Sequence, residues 1–227
     1  PPGWIELRNT LPQPQSVGGY SLTIGTRDGT RWKLPDPLVI PGNGHLVISC
    51  DPGLPPSSAP DNLNTGTPLP SHGGQLFFFN DTGQELDRVL YGAQIRELSI
   101  GRLSNSSWRL LSSPTPGAPN SGNATLGSTS NLLINEWLAS AGENQEEFVE
   151  LYNSGTRPVA MQGLRLTDDL SISGREQFSI PPLSFIGPAG FVSYRADDSP
   201  GTGHLPFRLH ALGETLRLYR STGTTII

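Results

Sequence analysis

Four histidines, His45, His72, His204 and His210, are the side chains best suited to general-base or metal-ligand work near neutral pH. A metal site needs several such groups converging, and a base needs a partner to orient it. None of the four stands at ligand spacing beside a Cys or a second His, so structural or surface roles are expected of them. The pairs Asp168-Asp169 and Asp197-Asp198 offer the oxygens that calcium takes, but neither carries EF-hand spacing. Each pair lies at a strand end, where Asp commonly binds the local backbone, and turn roles are expected. Glu6 and Glu150 occupy equivalent strand positions and could act as acid and base only across two domains. The simpler expectation is one carboxylate per domain, bonded by a neighbouring Arg or a backbone donor. No Gly-x-Ser-x-Gly elbow, P-loop or dinucleotide fingerprint occurs. The chain is therefore read as a non-enzyme with no catalytic residue, no metal ligand and no cofactor, and no binding residue is assigned.

Lys33, Arg88, Arg96, Arg102 and Arg109 give the first half some basic content, and Trp32 and Trp108 are able to stack on bases or sugars. Trp32, however, matches Phe178 at an alternating strand position, which points to core packing, whereas Trp108 has no counterpart. With 15 Lys and Arg against 20 Asp and Glu, the chain lacks the basic stripe that phosphate binding needs, and no nucleic-acid partner is expected. The run Phe77-Phe78-Phe79 must turn at least one ring away from its own core, toward a covered edge or toward an interdomain or partner contact. The sequons at Asn80, Asn105 and Asn123 read as incidental polar loop residues. Cys50, the single cysteine, excludes an internal disulfide and reads as a small buried hydrophobe.

The elements that carry these residues follow from composition. With 27 Gly and 22 Pro in 227 residues, few stretches sustain a long helix, because Pro costs about 3 kcal/mol and Gly about 1 in a helix interior. Leu, Ile, Val and Phe still make up roughly a quarter of the chain, above the range typical of disorder, and the net charge is only -5. The expected class is all-β. No apolar run has the ~18 residues of a membrane span. A chain that opens Pro1-Pro2-Gly3, with Met161 its only Met, is expected to be a processed or excised piece.

The chain also repeats itself. Trp4-Ile5-Glu6-Leu7-Arg8-Asn9 matches Phe148-Val149-Glu150-Leu151-Tyr152-Asn153, and Gly19-Tyr20-Ser21-Leu22-Thr23 matches Gly163-Leu164-Arg165-Leu166-Thr167. Trp32-Lys33-Leu34-Pro35 lies on Phe178-Ser179-Ile180-Pro181, and Gly44-His45-Leu46-Val47-Ile48 on Gly190-Phe191-Val192-Ser193-Tyr194. Gly73, Leu76 and Phe78 recur as Gly213, Leu216 and Leu218, and Asp81-Thr82-Gly83 meets Ser221-Thr222-Gly223. Matched blocks in one order imply two related domains. Residues 1–120 form the first and 131–227 the second, with 121–130 a flexible linker. Leu132 to Leu138 has no counterpart ahead of the first domain, and 88–120 has none after the second, so both domains are expected to be incomplete. A sandwich short of a strand exposes an edge, and edge-strand self-association is expected. The Pro-rich insertion 51–70 is a candidate for disorder.

The order Leu133-Ile134-Asn135-Glu136, Phe148 to Asn153, Gly163-Leu164-Arg165-Leu166-Thr167-Asp168-Asp169, Ile186-Gly187-Pro188-Ala189-Gly190-Phe191 and Gly213-Glu214-Thr215-Leu216 resembles the lamin tail domain family. The first repeat is similar from Trp4 onward and adds the ending Thr115-Pro116-Gly117-Ala118-Pro119-Asn120. The resemblance implies an immunoglobulin-like β-sandwich in each of two tandem domains. It implies a non-catalytic spacer, adhesion or docking module of a secreted or cell-surface bacterial protein, whose partner is a protein or a cell-envelope polymer. An accessory targeting domain of a secreted hydrolase or nuclease, and a nuclear lamin-type scaffold tail, stay open beside it.

Overall fold

The computed structural model describes residues 2–103, 106–142, 145–171, 177–220 and 222. Among them the only helical turn is the 3-10 segment Thr129–Asn131, and no helix is long and apolar enough to cross a membrane. All other regular structure is strand, in the immunoglobulin-like sandwich class. The residues group into two compact units. One holds Pro1–Pro70, Gly74–Leu90 and Pro114–Ser121, and the other holds Ser71–Gly73, Tyr91–Ser113 and Gly122–Ile227.

In the first unit, Gly3–Arg8 lies at the edge of a four-stranded sheet, followed by His45–Cys50, Asn62–Asn64 and Ser57–Ala59. A second sheet orders Glu85–Tyr91, Gly74–Phe79, Ser21–Ile24 and Trp32–Lys33. Alternation sends Leu22, Leu34, Ile40, Ile48 and Leu63 into the core, with Ile5, Leu7, Trp32 and Phe78 packed partly buried against them. Phe77 and Phe79 take the opposite face, with ring centroids 6.4 Å apart, yet both are buried. The Arg31 guanidinium covers Phe79 at 4.0 Å, an arrangement favoured by the ring quadrupole.

The second unit follows a similar plan, with Leu132–Leu138 flanking the strand that matches Gly3–Arg8. Leu132–Leu138, Phe148–Asn153, Phe191–Ala196 and His204–Leu205 form one sheet in that order. A three-stranded sheet of Phe178–Ser179, Arg165–Thr167 and Arg217–Tyr219 and the ribbon Val159–Ala160 with Phe185–Ile186 accompany it. Leu132, Val149, Leu151, Met161, Leu166, Ile186, Leu205 and Leu218 are fully buried in one cluster.

Buried asparagines at matched places hold the loops in both units. Asn9 Nδ2 donates to the carbonyls of Gln13, Ile40 and Pro41, and its Oδ1 accepts from Leu11 N. Asn153, at the equivalent position, donates to Arg157 and Gly187 and accepts from Gly155 N. The backbone agrees, since Asn9 N donates to Gly44 O and Asn153 N to Gly190 O, both at 3.0 Å. Gly19 and Gly163 sit at φ 76° and 74°, a conformation in which a Cβ is strained.

The structure differs from the sequence reading in two segments. The expected flexible linker 121–130 is bonded instead: Ala124 N donates to Leu110 O, Gly127 N to Pro158 O, and Ser128 caps the turn Thr129–Asn131. Its polar composition reflects backbone-bonded turns rather than freedom. The insertion 51–70 is likewise ordered, because it contains the strands Ser57–Ala59 and Asn62–Asn64. The buried Asn64 donates to the carbonyls of Asp51, Leu54 and Pro55 and accepts from Asp51 N. One amide thereby satisfies groups that would otherwise need water. A third feature concerns 91–113, which belongs to the second unit. Gly92 N donates to Pro182 O, Phe185 N to Ala93 O, and Gln94 Nε2 to Leu183 O, while Ala93 joins the buried cluster.

Candidate interaction surface

The strand Phe148–Asn153 is apolar on both faces. Val149 and Leu151 point into the core, which leaves Phe148, Glu150 and Tyr152 on the outer face. Pairing places Leu133 opposite Tyr152 and Tyr152 opposite Phe191, so one apolar row crosses three strands. Leu133 is 50% exposed and Phe191 56%. The Tyr152 and Phe191 rings stack with centroids 4.7 Å apart and planes 26° from parallel, close to the offset geometry aromatic pairs prefer. The next row is polar. Glu150 accepts from Asn135 Nδ2 at 2.9 Å and from Ser193 Oγ at 3.3 Å. Farther along, Arg195 pairs with Glu146 at 2.7 Å, an exposed contact of small energetic worth.

The matched row in the first unit is Arg8 opposite His45, and the matched carboxylate Glu6 accepts from Gly117 N. This places Glu6 and Glu150 in different units, each with its own bonds. No motif singles out the members of the apolar row, Leu133, Tyr152 and Phe191. The signal available was apolar residues at both parities of one strand.

The remaining candidates have structural partners. His204 Nδ1 lies 2.8 Å from Asp197 Oδ2, and Asp197 Oδ1 accepts from Ser199 N. Burial pushes the Asp197 carboxyl up, but the His204 bond, the Ser199 N–H and the charge of His204 outweigh it and hold the group below its usual range. Asp169 accepts from Ser171 N, and the bonds from Ser171 lower its carboxyl likewise. Asp168 and Asp198 lie beside these turns, and Asp198 has φ 57°. His210 Nδ1 accepts from Leu212 N, and His45 lies in its strand opposite Arg8. His72 lies against Gly203. Among the described residues no three His, Cys, Asp or Glu groups converge as metal ligands.

Lys33 and Arg88 belong to the first unit, and Arg96, Arg102 and Arg109 to the second. Arg102 stacks over Trp108 at 4.6 Å, covering a ring face that a base or sugar would need. Trp32 lines a cleft of about 210 Å³ with Leu22, Ile24, Thr30, Thr65 and Thr67. Asn80 Oδ1 accepts from Thr82 N and Gln84 N, Asn123 is exposed, and Asn105 lies outside the described residues, as do Ser221 and Gly223 of the repeat. Cys50 is buried, which pushes its thiol up against the opposing bond with Thr65.

Comparison with known proteins adds a family-model match over the second part of the chain. Residues 126–227 match the Lamin Tail Domain. The lamin tail match thus covers the sheet that carries Leu133, Tyr152 and Phe191. No curated protein matches the chain. The exo-chitosanase CsxA of Amycolatopsis orientalis, in complex with PNP-beta-D-glucosamine, aligns over 95% of this chain and 23% of its own at 13% identity, with a TM-score of 0.21. CsxA as an exo-beta-D-glucosaminidase under inhibition aligns over 98% and 25% at 14% identity, again with a TM-score of 0.21. The chain spans about a quarter of the length of these enzymes, and the likeness is too slight to bear on function.

Proposed function

We propose that the chain is a non-catalytic module of two lamin-tail-like sandwiches in tandem, serving as a spacer, adhesion or docking element of a secreted or cell-surface bacterial protein. The observation that carries this reading is the apolar row on the outer face of the second unit's sheet, in which exposed Leu133 and Phe191 flank the half-buried Tyr152. Sandwich outer faces are ordinarily polar, and apolar rows rimmed by polar groups mark contact surfaces. The charged side chains support it from the other side, since Glu6, Glu150, Asp169 and Asp197 are held in local bonds. The test is surface attachment of the parent protein carrying Leu133→Ser and Phe191→Ser. Attachment is expected to fall at least about tenfold, in line with loss of a central apolar contact, with the thermal midpoint unchanged. Hydrolytic turnover of glycoside, ester or nucleic-acid substrates by the purified chain overturns the reading.

A second reading, an accessory targeting domain of a secreted enzyme, is favoured by the stacked aromatic pair of half-buried Tyr152 and exposed Phe191. Co-sedimentation with insoluble chitin or peptidoglycan, abolished by Phe191→Ser, selects it over protein docking.

A further inference from the structure

The cleft of the first unit lies between the strands Ser21–Ile24 and Trp32–Lys33 of one sheet and the chain that leaves Asn62–Asn64 in the other. Its apolar wall is Leu22, Ile24 and the half-buried ring of Trp32. Thr65 is buried beside them, its Oγ accepting from Thr67 N and donating to Thr67 O, while Thr30 and Thr67 line the cleft from exposed positions. The Trp32 indole N–H is buried with no acceptor among the described residues, although a buried indole N–H ordinarily has one. The second unit fills the matched place with core side chains. Asn64 stands opposite Ser49 as His204 stands opposite Arg195, so Thr65 falls at the place of Leu205 and Thr67 at that of Phe207. Leu205 and Phe207 are buried in their core, and so is Phe178, the counterpart of Trp32. Between the two threonines Gly66 has φ 67°, a conformation closed to Pro206 at the matched position, so the two chains leave their strands on different paths. Hydroxyl side chains and a left-handed glycine thus replace an apolar plug.

We infer that this cleft binds a single neutral hexopyranose ring, with a C–H face of the sugar against Trp32 and its hydroxyls toward Thr30 and Thr67. The lining selects the class. No charged side chain stands among the described lining residues, so a phosphate, carboxylate or amine would lose water there without gaining a partner. A wholly apolar guest would displace water from the threonine hydroxyls and leave them, with the Trp32 N–H, unpaired. A pyranose joins an apolar face to a ring of hydroxyls that both donate and accept, which matches the wall and the threonines together. The volume falls below the roughly 300–1,000 Å³ of pockets for drug-sized ligands, which suits one ring and not a peptide strand. The site belongs to the other unit from the apolar row and stands or falls apart from it.

The probes are methyl glucoside, methyl galactoside and methyl mannoside, titrated into the whole chain while the Trp32 indole N–H is followed by NMR and assigned by its loss in Trp32→Phe. At least one of the three is expected to give a saturable shift with millimolar affinity, the range for a ligand of about a dozen heavy atoms. Thr30→Val and Thr67→Val keep the volume and remove a hydroxyl, and each is expected to weaken binding about fivefold with the thermal midpoint unchanged. Thr67→Phe, which fills the cleft, is expected to abolish binding, whereas Phe191→Ser in the other unit is expected to leave it intact. No saturable shift with any of the three sugars at about 100 mM overturns the assignment. An equal shift from cyclohexylmethanol, a ring of similar size without the sugar hydroxyls, overturns it as well. So does binding that both valine variants and Thr67→Phe leave unchanged.

Discussion

Leu7 and Leu151 occupy the same place in two sheets of the same plan, and only the company differs. Leu151 lies in a central strand, fully buried, with Ile134 on one side and Val192 on the other. Leu7, among the described residues, is paired on one side, opposite Leu46, and is half-buried. A core position is therefore made by a neighbouring strand as much as by the residue's own alternation. The largest expected effect follows directly. Leu151→Ala should cost about 2–5 kcal/mol, the range for emptying a closed site. Leu7→Ala should cost only about 1–2 kcal/mol, because its side chain leaves less water-free surface behind. Denaturant unfolding of each variant measures both, and equal losses would mean that pairing on both sides does not set the burial.

The two buried asparagines differ less. Asn9 and Asn153 make the same strand-end bonds to the loops that follow, but Asn153 is 0% exposed and Asn9 7%. Replacement by Ala strands carbonyls and an N–H that water cannot easily reach. Asn153→Ala should cost about 2–3 kcal/mol and Asn9→Ala somewhat less, since stranded groups near the surface regain water. Thermal unfolding of the two variants side by side checks the order. A larger loss at Asn9 would show that its loop depends on the amide more than its burial implies.

Much of the frame was legible in the sequence because strand alternation and turn residues are local. The blocks at Trp4 and Phe148 fall on strands, and Gly19 with Gly163 sits where positive φ requires glycine. What escaped was long-range. Asn64 reads as one more polar loop residue, yet its amide organises a Pro-rich insertion through three carbonyls of 51–55. The bonds of 91–94 to 182–185 join segments about ninety residues apart, and nothing in either stretch announces the other. The apolar row was missed for a related reason. Leu133, Tyr152 and Phe191 are ordinary singly and become a surface only once register lines them up.

The smallest expected effect is the one that pH reveals. At the same corner of the two units, a parallel neighbour meets the strand that ends at Cys50 or at Ala196: Asn64 stands opposite Ser49, and His204 opposite Arg195. The first unit closes the corner with a neutral amide bonded to the Asp51 backbone. The second closes it with side-chain charge, His204 Nδ1 on Asp197. Because the Asp197 carboxyl is held below its usual range when folded, its stabilisation is complete above the unfolded value near about 4 and fades as pH falls through the folded one. Lowering pH from about 5 toward 3 should speed amide exchange in 197–204 while leaving 51–64 little changed. The substitution His204→Asn, which copies the first unit's solution, should flatten that pH dependence in the second. If 197–204 still loosens in acid in the His204→Asn variant, the corner's acid sensitivity comes from a group other than the Asp197 and His204 pair.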